Sequence, residues 1–210
     1  MKKPAVKNLT LNGPQGALEA ILSVPEQTSG AIAVVCHPHP MYGGTMDNKV
    51  VHYTARALLE MGIPVLRFNF RGVGKSAGKF DNAVGEIEDC MTVVEWMQEN
   101  YPKDRLVLAG FSFGAYIAVR AAARADVSAL ITIAPAVNLY DFDSLDEIGC
   151  PWLLIQGEAD EVVPPDAVRS WVTQSSQLSE VIWMPDASHF FHGRLLELAE
   201  HIRKWIRDKI

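Results

Sequence analysis

Along most of the chain, short apolar runs alternate with amphipathic stretches, the pattern of successive strand–helix–strand units. Ala31 to Cys36 is apolar throughout, as a strand covered on both faces would be. Asp47 to Met61 carries Val51, Ala55, Leu58 and Leu59 on one helical face and ends at Gly62, a C-cap residue. Ile63 to Phe70 predicts a strand and Arg71 to Phe80 a Gly-rich loop. Asn82 to Asn100 predicts a long helix with Ile87, Met91, Val94 and Met97 at helical spacing. The alternation continues with strands at Arg105 to Ala109, Ser128 to Ala134, Pro151 to Ile155 and Val181 to Met184. Helices are predicted at Ala115 to Arg124, Pro165 to Gln177 and Arg194 to Lys209, the last with Leu195, Leu198, Ile202 and Trp205 on one stripe.

The first thirty or so residues differ. Val6 to Leu11 alternates weakly, Asn12-Gly13-Pro14-Gln15-Gly16 is a turn cluster, and Ala17 to Val24 reads as a second strand. A polar loop from Pro25 to Gly30 follows. This start predicts one antiparallel pair at an edge of an otherwise parallel sheet of about eight strands, with helices on both faces. The fold class is α/β. The chain, 210 residues long, is expected to form one domain, with no internal repeat, low-complexity segment or linker.

Composition adds mostly exclusions. The net charge of −6 and the lack of a basic run argue against nucleic acid and anionic membrane surfaces as partners. Cys36, Cys90 and Cys150 are scattered and form no C-x-x-C, which points to core thiols in a reducing compartment. Met1-Lys2-Lys3 resembles the start of a signal peptide, but Pro4 to Thr10 supplies no apolar core for one, so a cytoplasmic location is expected. No apolar run is long enough to span a bilayer.

The chemistry centres on Gly110-Phe111-Ser112-Phe113-Gly114, between a buried strand and an alanine-rich helix. A G-x-S-x-G at a strand-to-helix junction predicts a nucleophile elbow, in which a sharp turn lifts the hydroxyl above the sheet edge. The flanking glycines leave room for the close approach of strand and helix. A serine hydroxyl needs a base within hydrogen-bond reach, and the base needs a third group to set its tautomer. In an open α/β sheet such partners arise from loops at the carboxyl ends of strands. Gln156-Gly157-Glu158-Ala159-Asp160 follows one strand and Asp186-Ala187-Ser188-His189 another. Asp160 is the expected acid over Glu158 and Glu161, since it sits at the tip of the turn before Val162. His189 is the expected base over His192, since it comes directly off the strand.

His37-Pro38-His39-Pro40-Met41-Tyr42-Gly43-Gly44 is expected to be irregular, with its prolines and paired glycines. As a metal site its His-x-His lacks a second ligand cluster. As an oxyanion loop it would supply one backbone N–H, with Phe113 supplying the other. Pro38 and Pro40 have none to give, leaving His39, Met41 or a later residue, and Met41 is the expected donor. Gly72-Val73-Gly74-Lys75-Ser76 imitates a phosphate-binding loop, but the motif's first glycine would fall at Asn69 inside a strand. Arg71 is instead expected to pair with nearby carboxylates.

Together these pieces resemble the α/β-hydrolase superfamily over essentially the whole chain: the His37–Gly44 loop, Phe70 to Gly74 with Ser76, the elbow, Gly157 to Pro164, and Ala187 to Phe191. The order Ser112, Asp160, His189 is that of the superfamily's triad. The nearest likeness is to small lidless bacterial hydrolases, distantly similar to dienelactone hydrolases and acyl esterases. Dienelactone hydrolases typically carry cysteine where this chain has Ser112, so their substrate does not transfer. Val137 to Cys150 is too short for the cap that many members carry. The resemblance implies a serine hydrolase acting on a small-molecule carboxylic ester or thioester, without metal or organic cofactor. An amidase, peptidase or lactonase would use the same triad, and a non-catalytic binding scaffold is the alternative from another class. Oligomeric state is not legible.

Overall fold

A computed structural model describes residues 3–145, 147–178 and 180–210. Met1 and Lys2, and Asp146 within the Val137–Cys150 stretch, lie outside the described residues. Among those described, eight strands form one sheet in the order β1-β2-β4-β3-β5-β6-β7-β8. These are β1 (Ala5–Gly13), β2 (Gly16–Val24), β3 (Ala31–Cys36), β4 (Val65–Phe68), β5 (Arg105–Phe111), β6 (Ala129–Ile133), β7 (Trp152–Gly157) and β8 (Glu180–Met184). β1 and β2 form an antiparallel hairpin, and β2 meets β4 antiparallel. Every pairing from β4 to β8 is parallel, so the expected mixed edge and parallel body are both present.

Alternation along the strands divides the core. Ile32, Val34 and Cys36 of β3 face the layer built from α2 (Val84–Asn100), α3 (Phe113–Ala122) and α4 (Pro165–Gln174). Ala31, Ala33 and Val35 face α1 (Lys49–Glu60) and α5 (Leu195–Arg207). A strand with helices over both faces must be apolar at every position, and all six β3 residues are buried. α1 ends where Gly62 adopts φ 79°, a conformation only glycine takes readily. There Gly62 N–H donates to Leu59 O and Ile63 N–H to Leu58 O, the two bonds of a Schellman cap.

Predicted ends move by up to a few residues, and one expectation is corrected. The His37–Gly44 loop is not wholly irregular, since Pro40–Tyr42 forms a single 3-10 turn. Proline has no N–H to lose and a pre-set φ, so it opens such a turn instead of preventing it. Arg71 is paired as expected. Its Nε and Nη2 donate to Asp89 of α2 at 3.0 and 2.8 Å, and a Cβ at Gly85 would overlap its guanidinium. Cys36 and Cys90 are buried with their Sγ atoms 3.6 Å apart. No helix among the described residues is long and apolar enough to cross a membrane.

Candidate active site

The carboxyl ends of β3, β5, β7 and β8 converge on Ser112. Its backbone has φ 55° and ψ −115°, a strained conformation for a residue with a side chain. Neighbouring contacts enforce it. A Cβ at Gly110 would collide with the Gly114 carbonyl, and one at Gly114 with the carbonyls of Cys36 and His37. Ser112 N–H meanwhile donates to Ile133 O at 2.9 Å, continuing the β5–β6 ladder to the turn itself. The serine therefore stands at the N-cap of α3 with its side chain outward, beside the positive end of the helix dipole.

The loops after β7 and β8 are joined to each other before they meet the serine. Glu158 N–H donates to Met184 O at 2.9 Å and Ala159 N–H to Ala187 O at 3.0 Å. Gly157 is required there, because a Cβ would strike the Ala187 carbonyl. Asp160 is held by four donors. Val162 and Val163 N–H reach Oδ1 at 2.8 and 2.7 Å, and Gln156 Nε2 and His189 Nδ1 reach Oδ2 at 3.0 and 2.8 Å. A carboxylate only accepts, so the shared proton is on Nδ1 and the lone pair of His189 is on Nε2. That Nε2 lies 3.2 Å from Ser112 Oγ. The imidazole packs against Phe111 and Phe190, with ring centroids 4.9 and 5.1 Å away, and Glu161 accepts its backbone N–H. Ser112, Asp160 and His189 are all buried, the serine retaining 8% exposure.

Of the rival residues, Glu161 reaches only the backbone N–H of His189, and the other two fall elsewhere. Glu158 pairs with Arg169, and His192 stands beside Phe190. The two histidines of the β3 loop are also occupied. His37 donates from Nδ1 to Pro38 O at 2.6 Å and accepts Phe70 N–H on Nε2 at 3.0 Å. Burial brings its pKa down to about 4, so the ring is neutral and ties the end of β3 to the chain leaving β4. His39 is packed among Tyr42, Phe80, Phe113 and Tyr140. Among the described residues, no group of three or more His, Cys, Asp or Glu is placed to hold a metal ion.

Met41 does not fit the role expected of it. Its N–H is donated to His39 Nδ1 at 3.1 Å and its side chain is exposed. The His-x-Met spacing lets the histidine cap its own 3-10 turn, a bond that depends on the loop's conformation. By contrast, the N–H of His39 has no acceptor among the described residues. Sequence reasoning also missed Gln156, the last-but-one residue of β7, which orients Asp160 from behind. An amide side chain ending an otherwise apolar strand four residues before the candidate acid was the only hint, and it did not say what the amide would hold.

A family model described as an alpha/beta hydrolase domain matches residues 33–207. An uncharacterized protein of Rickettsia prowazekii is 38% identical, over 93% of this chain and 86% of its own. Among solved structures, XC6422 of Xanthomonas campestris, described as an α/β serine hydrolase without lid, superposes with TM-score 0.93 at 45% identity, covering 99% of this chain and 95% of that one. An α/β serine hydrolase homologue from Coxiella burnetii gives TM-score 0.91 at 46% identity, covering 94% of this chain and 96% of its own. With the fold matched end to end, the chain belongs to the alpha/beta hydrolase family and is a hydrolase.

Proposed function

We propose that the protein is a serine hydrolase of small carboxylic esters or thioesters, working through Ser112, His189 and Asp160. The unbroken chain of bonds from Asp160 Oδ2 through both ring nitrogens of His189 to Ser112 Oγ carries this reading. His189 Nε2 takes the hydroxyl proton as Oγ attacks the acyl carbon, and Asp160 stabilises the imidazolium that results. The oxyanion forms between Phe113 N–H, at the first turn of α3, and His39 N–H, which replaces Met41 as the loop donor. His189 then returns its proton to the leaving alcohol or thiol, and water cleaves the acyl-enzyme by the reverse route. No step calls for a metal or an organic cofactor. The aromatic cluster that starts at Phe113 and runs through His39 to Tyr140 offers an apolar wall for the acyl group.

The test is covalent labelling with a fluorophosphonate, read by intact mass. One adduct on wild type and none on Ser112→Ala is the expected result, with ester turnover falling about 10⁶-fold in the variant. Absence of an adduct on wild type would remove Ser112 as an activated nucleophile and overturn this mechanism.

A further inference from the structure

Away from Ser112, a groove of about 710 Å³ runs between α1 and the hairpin, a size typical of small-molecule sites. Helix α1 covers β3 and β4 but stops short of β1 and β2, leaving that side of the hairpin open to the groove. Ala55 and Leu59 of α1 face Val6 of β1 and Pro25 across it. Arg67, on the same face of β4, also lines it and is nine-tenths buried. A guanidinium on an inner strand is costly to bury, and its protein partners meet little of that cost. Nη1 donates to Met46 O at 2.6 Å and lies 3.4 Å from the exposed carboxylate of Asp47. Nε and Nη2, carrying three of the five donors, have no protein acceptor among the described residues, and neither atom is sealed from solvent. The acidic groups along the groove are already engaged. Glu60 accepts from both Arg56 and Arg203 at 2.8 Å, and Glu26 has an interaction of its own.

We propose that this groove binds a single-chain amphiphile with a carboxylate head, of the fatty-acid type. The free edge of Arg67, Nε with Nη2, presents the parallel donors that suit a carboxylate bidentately. The tail lies along Ala55, Leu59, Val6 and Pro25, where it displaces water from apolar surface. His52, whose pKa is lowered by burial and then by Arg67 and Arg56, adds a neutral ring beside the head group. The site shares no residue with Ser112, His189 or Asp160, and the proposal stands whether or not those three act as a triad.

Calorimetric titration of the full-length protein with octanoate, decanoate and dodecanoate below their micelle concentrations tests it. One equivalent should bind, about tenfold more tightly for every two carbons added. Arg67→Met should weaken decanoate tenfold or more. Because Arg67 also holds Met46 O, a second variant is needed. Val6→Glu changes a residue that is 60% exposed on β1, so folding is preserved while a carboxylate enters the groove, and the same loss is expected. Circular dichroism and the melting temperature check both variants. Equal binding of decanoate by Val6→Glu and wild type would place the ligand elsewhere, beside Ser112 for example, and overturn the proposal. So would decyltrimethylammonium binding as tightly as decanoate, or decyl phosphate binding more tightly. Self-association that Val6→Glu abolishes, with no decanoate bound to wild type, would make the occupant a second copy of this chain.

Discussion

His37 and His189 stand in loops at the same edge of the sheet, one after β3 and one after β8, and both are buried. Their surroundings give them opposite work. His37 has both nitrogens taken up by backbone, the Pro38 carbonyl and the Phe70 N–H. Its ring is a strut. His189 has one nitrogen on a carboxylate and the other on a hydroxyl. In the proposed mechanism such a ring takes a proton at Nε2 and gives it back from there, because the hydroxyl can give one up and the carboxylate can stabilise the charge that follows. The same side chain becomes structure or chemistry according to what satisfies its two nitrogens.

That contrast is sharpest in turnover. His189→Ala should reduce kcat/KM for an activated ester by about 10⁶-fold, close to the loss for Ser112→Ala, because the two act as a unit. Its urea midpoint should stay near that of wild type. A large stability loss with modest loss of rate would place His189 among the struts. Next in size is Asp160→Asn, which keeps the shape but offers a donor where His189 Nδ1–H needs an acceptor. Turnover should fall about 10⁴-fold through the wrong tautomer, measured as kcat at saturating ester.

The smallest effect is thermodynamic and belongs to His37. Its pKa in the fold is about 4, against about 6.5 unfolded, because burial disfavours the charged ring, an effect the bond to the Pro38 carbonyl only partly offsets. Below pH 6.5 the unfolded chain takes up a proton that the native ring refuses. Stability is therefore full above pH 6.5 and falls by about 3 kcal/mol as the pH drops to 4. Urea unfolding of wild type and His37→Gln at pH 7, 5.5 and 4.5 checks this. The variant should start less stable at pH 7 and show a flatter decline. Parallel declines would remove His37 as the cause.

The strand–helix alternation was legible because burial on one or both faces writes its period directly into residue order. That Ser112, Asp160 and His189 stand where they could meet was legible for a related reason. Each is set by local turn chemistry at the end of its own strand, so the segment that carries the residue also carries the signal. The pairing of Arg71 with carboxylates was legible in kind, but its partner Asp89 was not, being 18 residues away on a separate helix. That Met41 N–H is already bonded was not legible, because its acceptor, His39 Nδ1, is brought to it only once the Pro40–Tyr42 turn has formed.

Residue order by itself determined which segments become strands, which side chain is lifted at the elbow, and which loops could supply a base and an acid, since these depend on propensity and turn geometry within a few residues. The tertiary structure alone decided that His37 is a strut, that Gln156 and the Val162 and Val163 amides hold Asp160, and that Arg67 faces a groove with donors to spare. Each of those depends on which polar atoms meet across segments distant in sequence, and hydrogen-bond satisfaction in a core is settled by packing rather than by pattern.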